Sequence, residues 1–65
     1  MVTINGKKTE IPDGTAVEQM LLDEGFVLQR IAVERNGEIL PKASFASEKV
    51  QAGDVYEVVN FVGGG

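Results

Sequence analysis

Two Asn-Gly dipeptides, Asn5-Gly6 and Asn36-Gly37, constrain this chain more than any other feature. Asparagine and glycine both tolerate the positive φ angles of a type I′ turn, so such a pair between β-forming runs closes a tight hairpin. Val2 and Ile4 lead into the first turn, and residues 7–11 return from it. Residues 30–35 lead into the second, with Ile31 and Val33 on one face by the two-residue period of a strand. Glu38-Ile39-Leu40 follows as a short extended piece ended by Pro41. Between the hairpins, Pro12-Asp13-Gly14 breaks the chain, and Thr15 precedes Glu18 by the spacing of a capping box. The pattern predicts a helix over residues 16–24. Val17, Met20 and Leu21 form its apolar face, and Gly25 supplies a left-handed stop.

That face is expected to cover a sheet rather than to bind another protein, because a small domain needs every apolar stripe for its core. Residues 45–50 read as irregular, with Phe45 and Val50 as core anchors. After a turn at residues 51–54, residues 55–62 carry the strongest strand signal, rich in Val, Tyr and Phe. The order of elements fits an α+β, β-grasp (ubiquitin-like) arrangement. A mixed sheet of four to five strands would wrap around one main helix, with the last strand parallel to the first. Residues 1–65 form one domain, of which 63–65 are a flexible glycine tail.

The chain holds neither cysteine nor histidine among its 65 residues. Disulfides, thiolate nucleophiles and zinc clusters are therefore out, as is Ser-His catalysis, and an enzyme acting alone is disfavoured. A net charge of −4 repels phosphate backbones and anionic lipid, which argues against nucleic acid and membrane as partners. With no basic-flanked apolar leader and no run of about 20 apolar residues, the expectation is a cytoplasmic protein.

Gly63-Gly64-Gly65 follow directly on the last strand. Lacking Cβ atoms, they can thread a narrow channel that larger side chains would block, and so deliver a carboxylate to a buried site. The bland reading is a frayed end. If Tyr56 and Val58 face the helix, then Val55, Glu57, Val59 and Phe61 share the opposite face. Val59, Phe61 and Val62 then become partner-binding candidates beside the tail; the inverted register would make Phe61 core. Glu18, Asp23, Glu24, Glu34 and Glu57 read as a solvated charged surface, with steering of a basic partner as the functional alternative.

The ending from Gly53 to Gly65, with residues 34–41 (Glu-Arg-Asn-Gly-Glu-Ile-Leu-Pro) and the opening Ile4-Asn5-Gly6, resembles the ThiS sulfur carriers of thiamine biosynthesis over essentially the whole chain. The family's terminal glycine pair maps onto Gly64 and Gly65, which leaves Gly63 as an added joint. The resemblance implies a carrier that is a cosubstrate rather than an enzyme and binds no cofactor. A ThiF-like enzyme would use ATP to adenylate the Gly65 carboxylate. A sulfur donor such as a cysteine desulfurase system would convert it to a thiocarboxylate, and a ThiG-like thiazole synthase would consume it. The alternatives are a MoaD-type carrier or ubiquitin-like modifier, and, from another class, a plain interaction module.

Overall fold

The structure is a computed structural model and describes residues 1–61. Its elements run β1 (Val2–Ile4), β2 (Lys7–Thr9), α1 (Val17–Asp23), β3 (Ile31–Arg35), β4 (Glu38–Leu40) and β5 (Val55–Asn60), with 3-10 turns at Leu28–Arg30 and Lys42–Ser44. The five strands form one sheet in the order β2-β1-β5-β3-β4. Strand β5 lies at its centre, parallel to β1 and antiparallel to β3, as the β-grasp expectation requires. Both Asn-Gly turns have the expected positive φ values, 50° and 82° at Asn5-Gly6 and 53° and 84° at Asn36-Gly37.

One face of the sheet is covered by α1. Val2, Ile4, Ile31, Val33, Leu40, Tyr56 and Val58 are buried from the strands, against Val17, Met20 and Leu21 of the helix and the anchors Phe45 and Val50. The alternation along β5 is the one in which Tyr56 and Val58 point inward. The other sheet face is uncovered.

The helix begins differently from the expectation. No side-chain cap is present, and the Thr15 hydroxyl donates to the Pro12 carbonyl at 2.7 Å instead. The first N–H groups of the helix need acceptors, and the backbone of the 45–50 segment supplies them. Val17 N–H donates to Glu48 O and Glu18 N–H to Phe45 O, both at 2.9 Å. With those donors taken by main-chain carbonyls, a capping box has nothing left to satisfy. The helix end is as expected: Gly25 has φ +90°, and the N–H groups of Gly25 and Phe26 return to the carbonyls of Leu22 and Leu21, a Schellman closure.

Candidate functional site

Two asparagines hold β5 in register. Asn5 N–H donates to Tyr56 O. Its side chain then stands in for the next strand residue, accepting the Val58 N–H at 2.7 Å and donating to Val58 O at 3.1 Å. From the other turn, Asn36 Oδ1 accepts the Val55 N–H at 2.9 Å, and Asn36 Nδ2 donates to Asp54 Oδ1 at 3.2 Å. The turn asparagines thus clamp the strand from both flanks, in addition to setting the hairpins.

Just ahead of β5, the buried Asp54 collects the Asn36 bond, the Gln51 N–H at 3.0 Å and the Tyr56 hydroxyl at 2.8 Å. Burial alone would push its carboxyl up, but the donors from Gln51, Tyr56 and Asn36, with the charge of Arg35, outweigh it and hold the group below its ordinary value. Burial and the neighbouring Asp54 carboxylate push the Tyr56 phenol the other way, well above its usual range. Tyr56 is therefore a neutral donor throughout the physiological range. Arg35 pairs with Glu48 at 2.7 Å beside this cluster. No histidine, cysteine or third carboxylate joins these groups, and no metal-holding cluster occurs among the described residues. The cluster fixes one end of the strand and positions the other.

At that other end, Asn60 pairs with Ile31, and Phe61 N–H donates to Arg30 O at 2.7 Å. Phe61 is 52% exposed, so the inverted register is excluded. Lys42 Nζ donates to Gln29 O at 3.0 Å and lies 5.8 Å from the Phe61 ring centroid, within cation–π range. Val59 is exposed on the same uncovered face, beside Ala32 of β3, and Ile39 of β4 lies next to Glu34. The face thus gathers Val55, Val59, Phe61 and Ile39. Ile39 and the register that joins it to the patch were not singled out from the sequence, because a three-residue strand carries too little alternation to show its outward side. Of the other site candidates, Val62, Gly63, Gly64 and Gly65 lie outside the described residues.

The five acidic candidates separate. Glu18 and Asp23 belong to α1, with Glu24 at its end, whereas Glu34 and Glu57 sit directly opposite each other on the uncovered sheet face. No helix among the described residues is long and apolar enough to cross a membrane.

Known proteins share this arrangement. The sequence profile of the ThiS family matches residues 2–65. The sulfur carrier protein ThiS of Bacillus subtilis is 38% identical over 66 residues, with 100% of both chains covered. A crystal structure of a thiamine biosynthesis protein (ThiS) from Geobacter metallireducens superposes with a TM-score of 0.81 at 31% identity, covering 98% of this chain and 97% of that one. A thiazole synthase from Paramagnetospirillum magneticum is 42% identical over 64 residues, which are 98% of this chain and 20% of the synthase. The chain spans about a fifth of the length of the thiazole synthases it matches. A family profile that matches all but the first residue, a relative 38% identical over the full length of both chains and a shared fold at a TM-score of 0.81 thus agree, and the chain belongs to the ThiS family.

Proposed function

We propose that this ThiS-family chain is a cytoplasmic sulfur carrier of thiamine biosynthesis, acting as a protein cosubstrate through the carboxylate of Gly65. The observation that carries the reading is the strand β5, which is held on both flanks and is followed by Phe61, whose N–H donates to Arg30 O. It supplies a base from which any four residues, if fully extended, would span at most about 14 Å. A carboxylate with an ordinary α-carboxyl pKa of about 3.3 to 3.7 is ionised at neutral pH and unreactive toward nucleophiles, so it needs activation. A ThiF-like partner supplies it by spending ATP. The carboxylate oxygen attacks the α-phosphorus, pyrophosphate leaves, and the acyl adenylate is an electrophile. A persulfide drawn from a cysteine desulfurase system displaces AMP to give an acyl disulfide, a thiol reductant cleaves its S–S bond to release the thiocarboxylate, and a thiazole synthase consumes that product. The relatives named for ThiS and for thiazole synthase favour this pathway over a MoaD-type one.

Intact mass tests the proposal. Incubation with ATP, the adenylating enzyme and a sulfur source should add about 16 mass units, one oxygen replaced by sulfur. Deletion of Gly65, or its carboxamide, should abolish the gain without moving the melting temperature, because the core lies within residues 1–61. Loading of the carboxamide would assign the chemistry to another group and overturn the reading.

A further inference from the structure

The uncovered sheet face has an electrostatic defect at its centre. Glu34 of β3 lies in register with Glu57 of β5, and both side chains are exposed on the side away from the helix. Like charges directly opposite on adjacent strands, with Cβ atoms about 4.5 to 5.5 Å apart, destabilise a sheet. Among the described residues no cation pairs with either of them: the only ion pair there joins Arg35 to Glu48. The surroundings are apolar. Ile39 flanks Glu34 on β4, Ala32 and Val59 form the adjacent pair, and these residues with the two glutamates line a shallow depression. Ile39 is 79% exposed and Val59 59% exposed, so the carboxylates are framed by uncovered hydrocarbon.

We infer that this face docks on the thiazole synthase, and that the synthase inserts an arginine between Glu34 and Glu57 while its apolar side chains cover Ile39, Val59 and Phe61. This rests on the carrier reading and adds to it the chemistry of the contact. Charge complementarity selects the cation. A guanidinium presents a planar fork of donors that can serve two carboxylates at once, is weakly hydrated, and lies flat on hydrocarbon. A divalent metal is a poorer match, since it asks for about six oxygen ligands and no third acidic group joins the pair among the described residues. The choice of the synthase follows from the relatives in which a region 42% identical to this chain is part of a thiazole synthase polypeptide, so carrier and synthase surfaces there share one molecule. Docking turns the repulsion between the glutamates into attraction for the partner, and the cost in the free carrier becomes selectivity in the complex.

The test uses the full-length carrier and the thiazole synthase of the same organism. Glu34→Gln and Glu57→Gln should each weaken binding by about tenfold. The double variant should lose most of the salt dependence of binding while melting at or above the parent temperature, since it relieves a repulsion. Glu57→Lys should abolish binding, and reversal of the partnering synthase arginine to glutamate should restore it. Binding of the double variant within about twofold of the parent, with the same salt dependence, would overturn the inference. So would self-association of the carrier through this face in sedimentation. Sulfur loading of the parent together with normal binding by the Glu34→Gln and Glu57→Gln variants removes this inference alone; a parent that is neither loaded nor bound removes the carrier reading with it.

Discussion

Phe61 is the last described residue, two positions before the glycine run in the sequence, and its surroundings determine what its removal does. The ring is half exposed, touched on one side by the Lys42 ammonium, while its backbone is held by Arg30. Phe61→Ala therefore removes little buried area from the fold and a large area from any docked interface. Stability should fall by less than ~1 kcal/mol, whereas binding to the adenylating enzyme or the synthase should lose ~2 kcal/mol, about 30-fold in Kd. Thermal melts and calorimetry on the one variant check both halves. Tyr56 presents the opposite case. Its phenol is neutral when folded and donates to Asp54, and its folded pKa lies above the ordinary value of about 10. A raised folded pKa contributes stability that is complete below the unfolded pKa and is lost as pH rises beyond it. Melting temperature should thus decline above about pH 10. Tyr56→Phe should lose ~1 to 2 kcal/mol at neutral pH by leaving Asp54 short of a donor, and should show a flatter alkaline limb. Asp54 works in the reverse sense: its lowered folded pKa gives stability that is present above about pH 4 and disappears as pH falls through the folded value.

At the scale of elements, the hairpins were legible because a type I′ turn leaves a two-letter record in the sequence, and the helix stop because Gly25 must take φ +90°. The helix start was not, since its N–H groups are satisfied by carbonyls some 30 residues away, a tertiary fact that the Thr15–Glu18 spacing does not encode. The alternation of β5 correctly placed Val59 and Phe61 outward. The second duty of the turn asparagines was invisible for the same reason as the helix start: an Asn-Gly pair reports on its own turn, and says nothing of a strand packed beside it. Asn5→Gly separates the two duties. Glycine keeps the positive φ but deletes both bonds to the Val58 backbone. The variant should lose ~1 to 3 kcal/mol in chemical denaturation, where a turn residue of purely local importance would cost only a few tenths. Amide exchange at Val58 should rise with it.

For the whole molecule, the decisive relation is between a rigid scaffold and a run of residues without side chains. All the buried hydrophobic residues among those described lie between Val2 and Val58, so a substitution at residue 64 leaves the core as it is. The same substitution changes what a partner's channel must admit. Valine at residue 64 adds a branched Cβ to the backbone immediately before the reacting carboxylate and restricts its φ and ψ. Gly64→Val should therefore melt within about 1 °C of the parent, because an effect of even 1 kcal/mol would move a domain of this size by several degrees. Adenylation, followed by ATP–pyrophosphate exchange, should fall by at least about 100-fold, equivalent to ~2.7 kcal/mol in the activation barrier. Gly64→Ala should lie between the two, since its single methyl group leaves most backbone conformations open. The order of the three rates is the critical reading. If valine, alanine and glycine at residue 64 support equal exchange, the carboxylate is not reached through a narrow channel. The glycine run would then serve as a flexible spacer only, whose length rather than lack of side chains governs activation; a chain lengthened by one serine before Gly64 would show that dependence directly.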